Sequence, residues 1–427
     1  MLKRIINITI WTIIGLYTAI VILLHIPFIQ TFVGERVADA LCHKFGTKVS
    51  IGRVDLGFVN RLIIDDTEMQ DQQGKQMLRV SRISVKIDLL ALANGEIEIT
   101  SAQFFGLQAN LYKATADSKP NFQFVVDSLA SKDTTKQKTP LNLQINSLII
   151  RNGSVSWRVL SRAYNSGKFS PDNINAHNIS AHIIINRITD DSLNVKVKRI
   201  ALEERCGLKL KALSLHAIYG PKGASINDFN LELPSTLIQS ENISASFQKK
   251  EGKIEMPSLK FNGSINAPRI SLADIAGFVP KLSATKEPIS LKVNFNGSGD
   301  QIAVTRLELA NEKHSLQLIA NGGIKNYMEK MSWFANVSEL SANHEAIASI
   351  VATATGKDVP AVVTRIGDIS LSGHAYGDKN RLTANAKLAT SLGNIKLALN
   401  KSSKNIKADI ETKGFDEGKL ADNKTLG

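Results

Sequence analysis

Apolar and polar residues alternate strictly over most of this chain, from about Arg53 to the last residue. In one segment the apolar residues are Ile289, Leu291, Val293 and Phe295, and each residue between them is polar. Because successive side chains of a β-strand point to opposite faces, this period predicts strands with one apolar and one polar face. The chain is therefore predicted to be mainly β.

The alternation recurs along the chain and supplies candidates for an apolar sheet face. Turn pairs such as Asn152-Gly153, Asn262-Gly263 and Gly322-Gly323 lie between the repeats and predict tight hairpins. Together these signals favour a long antiparallel meander. The candidates for its apolar face are Val85, Ile87, Leu89, Leu141, Leu143, Ile145, Ile289, Leu291, Val293, Phe295, Leu316, Leu318, Ile369, Leu371, Ile395, Leu397 and Leu399.

The N-terminus carries a long apolar stretch. After Lys3 and Arg4, the residues from Ile5 to Ile29 include no charged side chain other than His25. A bilayer is crossed by about 20 predominantly apolar residues, whereas the apolar region of a cleavable signal peptide has about 7 to 15. Residues 1–29 are therefore predicted to form a transmembrane signal anchor with a cytoplasmic N-terminus, which places the rest of the chain outside the cytoplasm.

An amphipathic helix is predicted over residues 30–46, and Gly46 is expected to end it. Its apolar stripe has two interpretations: it lies on the membrane or plugs the end of the sheet, or it packs on the first strands. In the first case the stripe would contact the membrane. The candidates for that role are Phe28, Phe32, Val33, Val37, Leu41 and Phe45.

Charge and cysteine content restrict the partners. The net charge is +13, but aromatic residues are only 6% and the basic residues are spread along strands, which argues against nucleic acid. An exported basic surface is better explained by anionic lipid headgroups or glycolipid. Cys42 and Cys206 are either one disulfide or two partly buried thiols.

The rest of the chain divides by composition. Residues 47–112 are predicted as a first β unit, 113–140 as a polar loop carrying one short helix, and 141–427 as continuing β repeats. The Gly299-Asp300 and Gly377-Asp378 turns follow similar strands and are each preceded by a short helical segment. This faint repeat suggests a quasi-linear array of β units.

No residue pattern indicates chemistry. His344-Glu345 lacks the second histidine of a zinc-protease helix, and Gly297 to Asp300 lacks the third glycine of a dinucleotide loop. Asp65 and Asp66 are adjacent strand residues that point to opposite faces and cannot together flank one glycosidic bond. The sequence therefore predicts no enzyme, no cofactor and no metal site.

Several segments resemble the AsmA-like/TamB family of envelope proteins. The resemblance rests on the N-terminal span and on a series of strand motifs that is strongest over residues 1 to 160 and continues in style to the end. The motifs are Val49 to Leu56, Leu62 to Asp66, Asp71 to Leu78, Val85 to Ile99, Ile145 to Trp157 and Phe278 to Pro280. The last residues resemble the start of another repeat, so we expect a truncated member or a fragment.

The resemblance implies a bridge-like carrier of phospholipid in a diderm bacterium. Its fold would be a transmembrane helix followed by a long curled antiparallel sheet, an open groove or β-taco, with a few short helices. It would be anchored in the inner membrane, lie in the periplasm and carry acyl chains towards the outer membrane. It also implies a BamA-like barrel partner, engaged through a C-terminal region not found here. The alternatives are a scaffold for outer-membrane protein assembly and a membrane-tethered structural β protein with a closed core.

Overall fold

The computed structural model describes residues 2–24, 26–57, 60–88, 97–130, 141–142, 146–163, 167–189, 191–279, 287–327, 329–355, 359–403 and 405–422. The fold is mainly β, with 58% strand and 18% helix, as the alternation predicts. The chain forms two compact units. The first comprises residues 1–186 and 197–206, and the second comprises residues 187–196 and 207–427.

Two helices open the first unit. Helix α1 (Leu2–Leu24) is followed by α2 (Pro27–Phe45), which ends at Gly46 in the left-handed conformation, as predicted. Among the residues that the structure describes, no helix combines the length and the apolar character needed to cross a membrane. The transmembrane anchor predicted over residues 1–29 is therefore not supported.

Helix α2 packs on the first strand. Ala38 on α2 forms a buried cluster with Ile51 and Val54, and Gly34 allows the helix backbone to approach the strand closely. Of the two interpretations of the amphipathic stripe, the structure agrees with packing on the first strands. Burial of this stripe, rather than helix propensity, stabilises a helix of this length.

Seven strands and parts of two others complete the first unit, together with the short helix α3 (Gln123–Ala130). The strands are β1 (Val49–Leu56), β2 (Arg61–Gln70), β3 (Gln76–Ile87), β4 (Ile97–Phe105), β5 (Gln108–Lys113), β6 (Leu141–Asn142), β7 (Ser147–Val159), β8 (Asn173–Ile188) and β9 (Leu193–Glu204). Of the last two, residues 173–186 of β8 and 197–204 of β9 belong to this unit.

The first unit corrects the prediction of a purely antiparallel meander. Strands β4 and β5 lie one after the other along β7, and both run parallel to it. Parallel neighbours need a crossover of about a dozen residues or more, and the polar stretch with helix α3 lies on that connection. The segment predicted as a loop thus lies within the crossover between parallel strands. Its residues 131–140 fall outside the described residues.

The second unit is an antiparallel meander. Its strands pair in chain order from β10 to β12 and from β15 to β23, with β12 next to β15 and with β13 and β14 forming a separate two-stranded ribbon. The strands are β10 (Lys209–Gly220), β11 (Gly223–Glu232), β12 (Leu237–Ser246), β13 (Lys249–Lys250), β14 (Lys253–Ile254), β15 (Lys260–Ile270), β16 (Ile289–Ser298), β17 (Gln301–Asn311), β18 (Leu316–Lys325), β19 (Ser332–Ala342), β20 (Ile369–Asp378), β21 (Leu382–Thr390), β22 (Gly393–Lys401) and β23 (Ile406–Lys413).

Helical segments occur at one end of this meander. They follow β15, β19 and β23, three strands whose last residues lie at the same end of the sheet. This spacing of four strands agrees with the faint repeat seen in the sequence. The segments are a 3-10 helix (Leu272–Ile275), then α4 (His344–Thr355) with α5 (Ala361–Ile366), and finally α6 (Glu417–Ala421). A further 3-10 helix (Met256–Ser258) precedes β15.

Two predicted turns, at Asn262-Gly263 and Gly322-Gly323, are wrong, because their glycines lie inside strands, as does Gly297 just before the turn at Gly299. Gly263 pairs with Phe295, Gly297 pairs with Phe261, and Gly323 pairs with Phe334 across neighbouring strands. A β-carbon built on any of the three would lie under 3.0 Å from the ring of its partner. The glycine in each pair therefore makes room for the aromatic ring opposite it.

The turn predicted at Gly299-Asp300 is confirmed, since Ser298 pairs with Gln301 across it. Gly220 and Gly223 close a further hairpin, between β10 and β11. The Asn152-Gly153 pair instead forms a bulge within β7, where Asn152 has a φ of 54°. This bulge lies opposite the break between β4 and β5 at Gly106. The left-handed Asn152 therefore accommodates the bulge inside β7 and does not form a hairpin turn.

Candidate functional site

One face of the second unit carries continuous rows of apolar residues from strand to strand. Residues paired directly across antiparallel strands share a face of the sheet, so successive pairs form a row that crosses the strands, and the pairing register identifies its members. We call one of them the leucine row, and it crosses seven strands in succession. Its members are Leu291, Leu309, Leu318, Leu340, Leu371, Leu388 and Ile395.

A second row runs beside the leucine row, two residues away from it on each shared strand except β19, where the separation is three residues. It contains Val293, Leu307, Ala320, Val337, Gly373, Ala386, Leu397 and Ile410. The face of β15–β23 that bears these rows is called the apolar face below. Its opposite face carries exposed polar residues such as Lys292, Lys387 and Lys396.

The structure brings eleven of the seventeen predicted face residues together on the apolar face. They share it through the pairing register of β16, β18, β20 and β22. These eleven are Ile289, Leu291, Val293, Phe295, Leu316, Leu318, Ile369, Leu371, Ile395, Leu397 and Leu399.

The other six lie elsewhere. Val85 and Ile87 are on β3 of the first unit, and Leu141 is on β6, where it pairs with Ile97 of β4. Leu89, Leu143 and Ile145 fall outside the described residues.

Sequence reasoning missed the apolar residues of β17 and β19. In β17 the pairs Ile302/Val304 and Leu307/Leu309 each alternate, but a bulge shifts the second pair by one residue. In β19 a bulge between Val337 and Leu340 does the same. Each bulge absorbs the extra residue so that both halves keep their apolar side chains on one face. The sequence signal for these residues was a pair of short apolar alternations that are offset from each other by one position.

The apolar face is not a fully buried core. All eleven predicted residues on it are partly exposed, and none is buried. Buried apolar residues of this unit include Ala267, which pairs with Leu291 and is 1% exposed, and, at the end that carries the helical segments, Ala342 and Leu392, which are 5% and 8% exposed. On the last strand the face is open, since Ile406 and Ile410 are 69% and 66% exposed.

The six residues predicted near the bilayer divide into two groups. Phe28 and Phe32 are 79% and 48% exposed. Val33, Val37 and Leu41 pack against the Ala38 cluster on β1, and Phe45 packs on the buried residues Val49, Met69 and Met77, with its ring edge-on to Phe124 at 6.5 Å.

Buried polar groups in the first unit tie strands together. The Asp65 carboxylate accepts hydrogen bonds from Arg53 at 2.8 Å and from Arg82 at 2.7 Å. Burial raises the pKa of Asp65, but these two arginines outweigh it and hold the pKa below its ordinary value. Asp66 is exposed and has a φ of 52°, so the two carboxylates have different surroundings.

Asp71 is the centre of a second buried cluster. Its carboxylate accepts a hydrogen bond from the Tyr112 hydroxyl at 2.7 Å and others from the backbone N–H groups of Gln73 and Lys75. Asn121 donates to the same carboxylate at 3.4 Å. The cluster therefore fixes the turn between β2 and β3 to β5 and to the start of the crossover.

The cysteines and the metal-binding residue types form no shared site. Cys42 and Cys206 are separate thiols, and the Cys42 sulfur contacts the backbone of Val49. Within the described ranges, no group of three or more His, Cys, Asp or Glu side chains is arranged to hold a metal ion.

Comparison with known proteins adds no name to this geometry. No protein-family model matches the chain, and neither a curated protein nor a solved structure matches it. The apolar face of the second unit is thus the feature on which a functional assignment rests.

Proposed function

We propose that this chain carries lipid, with acyl chains lying on the apolar face of its second unit. The observation that supports this is the combination of continuous apolar rows with partial exposure of every predicted residue on them. Soluble proteins rarely leave contiguous apolar surface open without a binding role. An acyl chain would cover it, gaining about 0.8 kcal/mol for each methylene removed from water.

The rows also suit movement along the sheet. The leucine row presents nearly the same side chain on each of seven strands. A chain that shifts from one strand to the next exchanges one set of contacts for an equivalent set, so each step costs little free energy. We therefore propose transport along the face rather than tight storage at one point.

We place this activity in the envelope of a diderm bacterium, where an AsmA-like/TamB protein would carry phospholipid between the inner and outer membranes. Helix α1 supports attachment to the inner membrane, because it exposes large apolar side chains such as Trp11 at 67% and Leu16 at 64%. Phe28 and Phe32 at the start of α2 extend this surface. In this proposal such side chains insert into the periplasmic interface of the inner membrane, and the strands lie in the periplasm.

Photocrosslinking in cells tests the proposal. A photoreactive amino acid replaces Leu291, Val293 or Leu371 on the apolar face, and Lys292 on the opposite face is the matched control. We expect phospholipid adducts, identified by mass spectrometry, from the three apolar positions and none from Lys292. Crosslinks from the apolar positions to the protein alone would mean a closed structural core and would refute lipid carriage.

A scaffold for outer-membrane protein assembly is the second candidate, and strand β23 favours it. All eight of its residues are exposed, and in the described part of the chain it pairs only with β22. A client strand could add to this edge through backbone hydrogen bonds. In the same experiment this function would give adducts to a barrel protein from Ile406 on β23, without lipid at Leu291.

A further inference from the structure

Lysines converge on one cavity of the second unit, away from the leucine row. The cavity has a volume of about 820 Å³ and is lined by eight residues, of which three are lysines and none is acidic. The lining residues are Pro221, Lys222, Ser246, Phe247, Gln248, Lys249, Ser258 and Lys260. We call it the lysine cavity.

Backbone hydrogen bonds and one buried ring hold the walls of the lysine cavity. The N–H of Phe247 donates to the carbonyl of Lys222 at 3.0 Å, which joins the β10–β11 turn to the end of β12. The N–H of Gln248 donates to Ser258 Oγ at 2.7 Å, which joins β12 to the segment before β15. Phe247 is only 5% exposed, so the wall is anchored in the unit.

Lys249 is held in place without a carboxylate. Its ammonium donates to the Tyr219 hydroxyl and lies 4.6 Å from the centre of the Tyr219 ring and 5.9 Å from that of Phe247. A cation over an aromatic face is stabilised but keeps its full charge. In the described part of the chain, Lys222, Lys249 and Lys260 have no carboxylate within ion-pair distance.

The acidic groups nearby do not neutralise the cavity. Glu251 and Glu255 lie on the β13–β14 ribbon and the segment after it, but neither lines the cavity. Asp191 lies within range of the charge of Lys249. The pKa of Asp191 is lowered chiefly by hydrogen bonds from Thr189 and Ser192, with a smaller effect from Lys249.

The lysine cavity lies where strands β12 and β15 meet, at the first residue of β15. Lys260 pairs with Ser246, so these two cavity residues share one face of the sheet. Phe261, the next residue, pairs with Ala245 and Gly297 on the apolar face, which is the opposite side. The cavity is therefore close to the apolar face along the chain, but Lys260 and Ser246 point away from that face.

We propose that the lysine cavity binds a phosphate-bearing group. Ammonium groups and serine hydroxyls are donors suited to phosphate oxygens, and an uncompensated positive cavity attracts a polyanion. Where the ligand is a lipid, this inference rests on the proposed function and assigns an anionic phosphate headgroup to the lysine cavity. The other source of the same chemistry is a soluble phosphate ester.

The test compares two variants that lose equal charge. The cavity variant is Lys222→Gln/Lys249→Gln/Lys260→Gln, and the control variant is Lys292→Gln/Lys313→Gln/Lys379→Gln, three exposed lysines of the same unit. Each protein is titrated with glycerol 3-phosphate and with vesicles of either phosphatidylglycerol or phosphatidylcholine at low salt. We expect the cavity variant to bind the recognised probe, glycerol 3-phosphate or phosphatidylglycerol vesicles, about a hundredfold more weakly than wild type, because each lysine contributes about 1 kcal/mol of binding free energy. The control variant should bind nearly as tightly as wild type.

The outcomes separate the two sources and the two proposals. Lysine-dependent binding of phosphatidylglycerol vesicles identifies a lipid headgroup, and lysine-dependent binding of glycerol 3-phosphate alone identifies a soluble ester. Equal binding by the cavity and control variants overturns the site. If the two variants bind equally while lipid adducts form at Leu291, lipid carriage stands without this headgroup site. If only the cavity variant loses binding and no lipid adducts form at Leu291, the chain has a phosphate site but does not carry lipid.

Because Lys249 contacts Tyr219 and Phe247, its loss could weaken the fold. The double variant Lys222→Gln/Lys260→Gln keeps these contacts. It should bind about thirtyfold more weakly than wild type, with an unchanged melting temperature.

Discussion

At the scale of single residues, the hydrogen-bonded cluster around Asp71 links protonation to stability. Burial raises the pKa of Asp71, but hydrogen bonds from Tyr112, Lys75, Gln73 and Asn121 lower it below 3.8. Its contribution to stability is therefore present above pH 3.8 and is lost as the pH falls through the lower folded pKa. Burial and the contact with Asp71 raise the pKa of Tyr112 from 10.0 to about 12.

The raised pKa of Tyr112 predicts an alkaline loss of stability. A group with a raised folded pKa stabilises the fold fully below its unfolded value, so this contribution should disappear between pH 10 and about 12. Tyr112→Phe should remove that pH dependence and lower the free energy of unfolding at pH 7 by about 1.5 to 3 kcal/mol. Urea denaturation from pH 7 to 12 measures both effects.

The control for this prediction is Tyr376→Phe, because the Tyr376 side chain is 53% exposed. It should leave the free energy of unfolding and its alkaline profile as in wild type. If Tyr112→Phe retained the same alkaline loss as wild type, the hydroxyl of Tyr112 would not be bonded to Asp71 in solution.

At the scale of elements, the contact of α2 with β1 decides the role of the amphipathic stripe. A β-carbon on Gly34 would lie 3.4 Å from the Arg53 Cα and 3.5 Å from the Ile51 side chain, which is ordinary contact. There is thus room for one methyl group at this crossing but not for a larger side chain.

A substitution series at Gly34 checks this packing. Gly34→Ala should stabilise the chain by up to about 1 kcal/mol, because alanine favours helix and fits the contact. Gly34→Leu should destabilise it by about 1 to 3 kcal/mol through overpacking. Thermal unfolding gives both values. Gly15→Leu on α1, where nothing lies within 4 Å, is the control, and equal tolerance at both positions would mean that α2 does not pack on β1.

At the scale of the whole molecule, the distribution of burial separates an open face from a closed core. Leu371 lies in the leucine row and is partly exposed, whereas Leu392 is 8% exposed at the helical end of the same unit. We expect Leu392→Gln to lower the free energy of unfolding by about 2 to 5 kcal/mol, since it buries a polar group in a packed site. Leu371→Gln should cost about 1 kcal/mol, in proportion to its smaller buried area.

Urea denaturation of these two variants provides the comparison. Because both change leucine to glutamine, the chemistry is matched and only the surroundings differ. Equal and large losses at both positions would mean that the leucine row is packed against other protein, as in the closed structural alternative.

Much of the fold could be predicted from the sequence, because the two-residue period is local. Alternation alone placed Leu291, Leu318, Leu371 and Ile395 on one face, and the structure places all four in the leucine row. The helix end at Gly46 and the hairpin at Gly299 were likewise local signals. The apolar rows were therefore determined by the sequence wherever no bulge interrupts the period.

Contacts between distant residues were decided only by the tertiary structure. Whether an Asn-Gly pair becomes a turn or stays in a strand depends on the partner opposite it, as with Gly263 and Phe295. The parallel pairing of β5 with β7 depends on a crossover whose sequence has no apolar periodicity from which the pairing could be predicted. The lysine cavity depends on three segments that meet only in the folded unit. Local periodicity encodes which way a side chain points, whereas its neighbours and its burial follow from the assembled sheet.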